Sequence, residues 1–166
     1  MNNIILIGFP CTGKTVIGKE ISQLLNYKFI DIDQIIETCQ NQPIQQIFQK
    51  YGEKYFRKLE RKTTRQLPNT SNSVIACGGG ITTNPKLIPK LKNLGTIIEL
   101  VCSQKIILQR LKQDESRPLL KNKTDKQILE LYNIRKTCYA CADFHITVTN
   151  LTPQQAARKI IRKLNL

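Results

Sequence analysis

A chain of 166 residues, 40% of them hydrophobic, is long enough for one domain with a substantial core and too apolar for global disorder. No apolar run approaches the roughly 20 residues of a membrane span, and Met1 leads straight into the first strand signal, so we expect a cytoplasmic protein with no signal peptide and no membrane partner. The formal net charge of +14 could indicate nucleic-acid binding, but the basic residues are scattered and Trp is absent. We therefore expect small anionic substrates, no nucleic acid and a monomer.

Strand signals alternate with helical patterns along the chain. The strands are predicted at 3–8, 29–33, 74–77, 96–101 and 144–148. The helices are predicted at about 14–25, 44–66 with a break near Gly52, 84–93, 103–113 and 124–142, with a last helix that begins at Thr152. This order predicts a single α/β domain over 1–166, with a mainly parallel sheet covered by helices on both faces. Such sheets bind their ligands beyond the carboxyl ends of the strands.

The first predicted strand leads into a phosphate-binding loop. Residues 8–15 read GFPCTGKT, which matches the pattern G-x-x-x-x-G-K-[ST], and apolar residues at helical spacing follow. Successive backbone N–H groups and the helix N-terminus attract phosphates, while Lys14 can reach the outer phosphates and the Thr15 hydroxyl can ligate Mg²⁺. The predicted ATP site comprises Cys11, Thr12, Gly13, Lys14, Thr15 and Val16.

Two carboxylates, Asp31 and Asp33, stand at the end of the second predicted strand. We expect their side chains to point to opposite sides, one toward the metal and phosphates and the other toward a second substrate. A kinase needs one carboxylate near Mg²⁺ and one that orients or deprotonates the attacking hydroxyl. The alternative is that the pair marks a helix N-terminus, because the helical pattern Gln34–Cys39 follows. For Asp33 the two interpretations are compatible.

Two further features are weak when each stands alone. In Phe56-Arg57-x-x-Glu60 the spacing i, i+3 on a helix allows Glu60 to brace the guanidinium of Arg57 for bidentate capture of a carboxylate. Helix surfaces carry many such pairs that have no function. The glycines 78–80 follow a buried strand and allow a ligand to approach the backbone closely, although a flexible turn would look the same.

The polar composition of residues 113–125 predicts a mobile loop around Arg117. Arg117 and Arg110, which lies on the preceding helix, are candidates to contact phosphates. Arg135 lies on the next helix, four residues before Tyr139.

Six cysteines in a cytosolic protein are expected to be free thiols. Cys77 and Cys102 lie in predicted strands and should be small core residues. Cys138-x-x-Cys141 resembles half of a zinc site or a redox pair, but no second pair accompanies it, His145 is the only histidine, and the pair lies in a helical stretch. A structural role is the favoured interpretation.

In this order and spacing, the motifs resemble the shikimate kinase family from end to end. The matching pieces are the phosphate loop, Asp31-x-Asp33, the run from Ile47-Phe48 through Gly52-Glu53 to Phe56-Arg57-x-x-Glu60, the glycines 78–80, Arg117-Pro118-Leu119-Leu120 and Arg135-x-x-x-Tyr139. The resemblance implies ATP-dependent phosphorylation of the shikimate 3-hydroxyl, on the route to chorismate and the aromatic amino acids. It also implies a three-layer α/β/α P-loop fold with a five-stranded parallel sheet, order 2-3-1-4-5, and a lid at about 112–125.

By the same resemblance, the acceptor would be held by Asp33, Arg57, Gly78, Gly79, Gly80 and Arg135. Arg57 and Arg135 would take the shikimate carboxylate. Asp33 would contact the ring hydroxyls and act as a catalytic residue.

On the nucleotide side, the resemblance implies that Thr15 binds Mg²⁺ and that Asp31 acts on the metal through water. Lys14 and Arg117 would be catalytic, because they would stabilise charge on the transferring phosphoryl group. Arg110 would lie near the nucleotide.

The chain departs from the family pattern at two places. Cys11 replaces a common glycine, and its Cβ should crowd the turn or impose a different φ if the site needs a positive one. The segment 148–153 on the adenine side is short and lacks the basic residue often found there. The second departure concerns adenine contacts rather than the reaction.

Two other functions stay open on the sequence. One is another small P-loop kinase, such as a gluconate or nucleoside monophosphate kinase, and the paired arginines with the triple glycine argue against a nucleoside acceptor. The other is a non-catalytic module that binds nucleotide or nucleic acid. The presence of Lys14, Thr15, Asp33 and Arg117 argues against it.

Overall fold

A five-stranded parallel sheet forms the centre of the molecule. The computed structural model describes residues 3–68, 71–113, 120 and 123–166. The strands are β1 (Asn3–Ile7), β2 (Lys28–Asp31), β3 (Ser73–Ala76), β4 (Gly95–Val101) and β5 (Phe144–Thr147). They are ordered β2-β3-β1-β4-β5, with every neighbouring pair parallel. This order confirms the fold that the resemblance implies.

Helices connect the strands and cover the sheet. They are α1 (Lys14–Leu25), α2 (Ile32–Gln40), α3 (Ile44–Gln66), α4 (Ile88–Leu94), α5 (Gln104–Leu111), α6 (Asp125–Cys138) and α7 (Pro153–Lys163). Short 3-10 turns lie at Ile81–Thr83, Pro85–Leu87 and Tyr139–Cys141. The predicted helices at 84–93 and 124–142 are therefore each part 3-10 turn and part α-helix. Among the helices of the described residues, none is long and apolar enough to cross a membrane.

The central strand, β1, is buried on both faces of the sheet. All five residues of β1, NIILI, are buried, as expected for a strand with helices on either side. Its neighbours align so that Ile4 pairs with Val74 on β3 and with Thr96 on β4. This register places the carboxyl ends of β1 and β3 side by side, and the loops that follow them form one edge.

Local sequence signals set the start of α7 and the break in α3 as predicted. Thr152 caps α7 in a capping box with Gln155, whose side chain accepts from the Thr152 amide over 2.9 Å. Gly52 interrupts α3 with φ 76° and ψ 174°, which confirms the predicted break. The second half of α3 is thereby redirected, and it carries Arg57 and Glu60 to the edge of the sheet.

Candidate active site

The loop between β1 and α1 has the closed shape that a phosphate-binding turn needs. Gly8 and Gly13 have φ values of 136° and 94°, and a Cβ at Gly8 would meet the Leu100 carbonyl oxygen at 2.7 Å. The Lys14 ammonium donates to the carbonyl oxygens of Gly8 and Phe9 over 2.9 and 3.0 Å. Lys14 is therefore held across the mouth of the loop, where a phosphate would accept from it.

Cys11 adopts the left-handed conformation, so its Cβ does not impose a different φ on the turn. Its φ is 64°, which a residue with a Cβ rarely adopts. Its carbonyl oxygen accepts from Arg110 Nη1 over 2.9 Å. Arg110 thus links α5 to the phosphate loop, on the nucleotide side where it was expected.

Asp31 and Asp33 do point to different places, but the reason differs from the prediction. β2 ends at Asp31 rather than at 33, and residues two apart in a strand would share a face. Asp31 is the N-cap of α2, where its Oδ1 accepts from the amides of Asp33 and Gln34 over 3.0 and 3.3 Å. Its Oδ2 accepts from the Thr15 hydroxyl over 2.9 Å. Asp33, in the first turn of α2, points toward Gly78.

A cavity of about 410 Å³ lies over the phosphate loop. It contains every residue of the predicted ATP site that the structure describes, namely Cys11, Thr12, Gly13, Lys14, Thr15, Val16 and Arg110. Arg117 lies outside the described residues. The short segment 148–153 forms the far wall with Val148, Leu151 and Pro153. This wall is largely apolar, which suits the face of a purine base.

Arg57 is braced by two carboxylates, one more than the sequence suggested. Its Nη1 donates to Glu60 Oε2 over 2.8 Å, as predicted, and its Nη2 lies 3.1 Å from Glu53 Oε1. Burial opposes the charged form, but Glu60 and Glu53 raise the pKa of Arg57 above its usual value. Burial also raises the pKa of Glu60, and Arg57 offsets part of that rise. The guanidinium is therefore charged and fixed in direction.

Arg135 has a different environment from Arg57. It is 6% exposed, and its guanidinium carbon lies 5.8 Å from the centre of the Phe9 ring. No carboxylate of the described residues lies within 4 Å of it. Burial lowers the pKa of Arg135, and the nearby charge of Arg57 lowers it further. A buried cation without an acidic partner is costly unless an anion binds beside it.

The glycine turn 78–80 packs tightly against these side chains. A Cβ at Gly80 would lie 2.5 Å from Arg57 Nη2. A Cβ at Gly78 would lie 2.7 Å from Glu60 Oε1 and 2.9 Å from Asp33 Oδ1. The absence of side chains at these two positions is what allows the charged groups to reach the cavity. The backbone of this turn is therefore packed closely by charged side chains, so the turn is more than a flexible connection.

A second cavity of about 440 Å³ lies beside the first. It brings together all six predicted acceptor residues, Asp33, Arg57, Gly78, Gly79, Gly80 and Arg135. The two cavities share Thr15, Asp31, Asp33 and Gly79. A nucleotide in one and an acceptor in the other would therefore meet at the Asp33 carboxylate, next to the phosphate loop.

Several residues of the second cavity have no role predicted from the sequence. They include Pro10, Lys19, Gln34, Glu37, Ile44, Phe48, Phe56 and Leu120. Phe48 and Phe56 lie with their ring centres 4.7 Å apart and form an apolar wall. The family pattern contained both residues, but their periodicity on α3 is equally typical of core packing.

The cysteines lie largely where predicted. Cys77 and Cys102 are buried, each one residue beyond its strand, which confirms their assignment to the core. The Sγ of Cys141 lies 3.5 Å from the carbonyl oxygen of Cys138, in the turn that ends α6. Within the described ranges, no group of three or more His, Cys, Asp or Glu residues is arranged to hold a metal ion.

Comparisons with known proteins show the family of this chain. A family profile described as shikimate kinase matches residues 10–165. The shikimate kinase of Caldanaerobacter subterraneus subsp. tengcongensis is 39% identical over 163 residues, which are 98% of this chain and 95% of that protein. The structure of the Acinetobacter baumannii shikimate kinase in complex with shikimate has a TM-score of 0.94 and 32% identity, covering 99% of this chain and 93% of that one. The Aquifex aeolicus shikimate kinase structure has a TM-score of 0.85 and 35% identity, covering 98% and 96%. The chain therefore belongs to the shikimate kinase family.

Proposed function

We propose that this chain transfers the γ-phosphoryl group of ATP to the 3-hydroxyl of shikimate, with the residue roles given below. The observation that carries the proposal is the buried guanidinium of Arg135, which has no acidic partner among the described residues and lines one cavity with Arg57. Two arginines at the end of a small cavity select a compact anion, and the carboxylate of shikimate fits that requirement. The Acinetobacter baumannii structure, which has the same fold, was solved in complex with shikimate.

The acceptor hydroxyl has one carboxylate placed to act on it. Asp33 lines both cavities and lies at the point where they meet. In this position it orients the 3-hydroxyl and takes its proton as the bond to phosphorus forms. Arg57 and Arg135 hold the carboxylate at the other end of the acceptor, so the ring has one orientation.

The residues beside the phosphate loop fit a magnesium ion. Mg²⁺ usually binds one or two protein oxygens, with phosphate and water completing its shell, and the Thr15 hydroxyl with the Asp31 carboxylate offers such a pair. Bound there with ATP, the ion would neutralise charge on the β- and γ-phosphates. Thr15 would be the direct ligand and Asp31 would act through water. Lys14 would leave the loop carbonyls and donate to the outer phosphates.

Arg117, outside the described residues, is proposed to stabilise charge on the transferring phosphoryl group, and the segment 112–125 is proposed as a lid. Leu120 of that segment is 6% exposed and lines the acceptor cavity. The six cysteines are free thiols, which fits a cytoplasmic protein. We propose a single-domain monomer that binds ATP and shikimate and has no nucleic-acid or membrane partner.

An ADP-release assay with shikimate, gluconate and nucleoside monophosphates tests the acceptor. Of the three kinds of acceptor, we expect turnover with shikimate alone. We also expect Lys14→Ala to lower kcat about a hundredfold or more, because electrostatic stabilisation dominates phosphoryl transfer. Lys28→Ala is the control, since Lys28 is exposed at the start of β2 and lines neither cavity. Turnover with another acceptor, or a Lys14→Ala enzyme with near-normal kcat, contradicts the proposal.

A further inference from the structure

Tyr139 is a buried phenol to which the proposed reaction gives no role. Its side chain is 2% exposed, in the 3-10 turn that follows α6. Its hydroxyl donates to the carbonyl oxygen of Gly79 over 2.6 Å, a contact between residues 60 apart in the sequence. A buried hydroxyl without a hydrogen-bond partner is unfavourable because no water replaces the lost bond. The hydrogen bond to Gly79 is therefore favoured in the folded protein.

This hydrogen bond fixes the middle of the glycine turn. The carbonyls of Gly78 and Gly80 accept from amides further along the same turn. Among the hydrogen bonds of the described residues, the one from Tyr139 alone ties Gly79 to another element. The phenol oxygen is therefore the hydrogen-bonding link that holds Gly79 to the end of α6.

The glycine turn also links the two arginines of the acceptor cavity. Arg135 lies one turn before Tyr139, on the helix whose end the phenol anchors. On the other side, the Arg57 guanidinium packs against Gly80 so closely that a Cβ there would lie 2.5 Å from Nη2. A displacement of the turn would therefore change the distance between the guanidinium groups of Arg57 and Arg135.

We infer that Tyr139 is a positioning residue that sets the spacing of Arg57 and Arg135 by holding the glycine turn to the end of α6. The inference rests on the proposed function, because it concerns how tightly that site binds a carboxylate-bearing acceptor. Two guanidinium groups bind one carboxylate well only when both are placed in advance. Burial raises the pKa of Tyr139, so the hydroxyl keeps the proton that it donates.

Tyr139→Phe tests this inference because it removes one oxygen and keeps the ring. We expect the KM and the calorimetric Kd for shikimate to rise about fivefold to thirtyfold, with the KM for ATP and the kcat at saturating shikimate within about twofold of the parent. Tyr55→Phe is the matched control. The Tyr55 hydroxyl donates to Gln40 Oε1 over 3.3 Å, and Tyr55 lines neither cavity of the site, so its loss should leave both KM values unchanged.

Two readouts separate positioning from a general structural role. KM does not depend on the fraction of enzyme that is folded, so a partial folding defect does not mimic the expected result. Amide hydrogen exchange of the peptide 77–83 should accelerate in Tyr139→Phe and not in Tyr55→Phe.

The outcomes separate a failure of the proposed function from a failure of the role of Tyr139. A parent enzyme inactive toward shikimate contradicts the proposed function, whatever the variants do. An active parent combined with an unchanged KM for shikimate, or with unchanged exchange at 77–83, in Tyr139→Phe overturns the role of Tyr139 alone.

Discussion

Arg135 is placed to favour carboxylate binding, but its burial lowers the stability of the unliganded protein. Its buried guanidinium lacks an acidic partner among the described residues, so the unliganded protein carries the desolvation cost of that charge. Arg57 differs, because Glu60 and Glu53 offset its burial within the protein. An incoming carboxylate would therefore gain more from Arg135 than from Arg57.

We predict that Arg135→Met weakens shikimate binding about tenfold to a thousandfold, because a charge-assisted contact in a partly desolvated site is lost. Its melting temperature without ligand should equal or exceed that of the parent, since an unpaired buried charge is removed. Calorimetry and thermal unfolding measure the two effects. Lys136→Met, an exposed cation on the same helix, is the control and should change neither. A variant that melts lower and binds shikimate normally would show that Arg135 is structural.

Cys11 is a residue at which the chain tolerates strain. A non-glycine residue at φ 64° carries a conformational cost that glycine avoids. We predict that Cys11→Gly raises the free energy of unfolding by up to about 1 kcal/mol, as measured by urea denaturation. Cys11→Ala removes the thiol and keeps the Cβ, so it should resemble the parent. Equal stabilisation in both variants would mean that the thiol, rather than the backbone angle, is the source of the effect.

At the scale of elements, the two ends of the glycine turn 78–80 adjoin different charged groups of the site. Gly80 adjoins the Arg57 guanidinium, whereas Gly78 adjoins the carboxylates of Glu60 and Asp33. In both cases an added Cβ would meet the end of a side chain, which can move without disturbing the backbone. A methyl group at each position therefore perturbs a different part of the reaction.

We predict that Gly80→Ala mainly raises the KM for shikimate, because it displaces Arg57. Gly78→Ala should lower kcat and also raise that KM, because its Cβ would meet both Asp33 and Glu60, the carboxylate that braces Arg57. Each effect should be about tenfold or more, since small misplacements of reacting groups are costly. Steady-state kinetics in both substrates measures the split, and the KM for ATP serves as the internal control. An equal loss of kcat in both variants would contradict this difference between the two ends of the turn.

The sequence predicted elements better than the ways in which they meet. The phosphate loop, the capping box at Thr152 and the break at Gly52 are local signals, and each was confirmed at its position. Asp31 was harder, because a carboxylate at a strand end and an N-cap carboxylate look alike until the end of the strand is known. The bond from Tyr139 to Gly79 spans 60 residues and has no local signature, so only the packed structure reveals it.

At the scale of the whole molecule, the excess of cations is arranged by the fold. The chain has 26 Lys and Arg residues against 12 Asp and Glu. Five of these cations lie at helical spacing within residues 54–65 and form one exposed column on α3, at Lys54, Lys58, Arg61, Lys62 and Arg65. Within the described residues, no ion pair neutralises this column. We therefore expect its positive potential to add to the field that attracts ATP and shikimate, both of which are anions.

We predict that kcat/KM for shikimate falls about threefold or more between roughly 20 and 300 mM KCl, because salt screens this field. Sucrose at matched viscosity should not reproduce the fall. Lys62→Gln combined with Arg65→Gln lowers the net charge by two at exposed positions that line neither site cavity. This double variant should have the parent kcat and a lower kcat/KM at low salt, and the difference should vanish at high salt. Lys62→Arg with Arg65→Lys keeps the charge and should match the parent throughout. If the charge-lowering variant keeps the parent's salt dependence, the distant cations do not guide the substrates, and the salt effect arises from Arg57, Arg135 and Lys14 within the site.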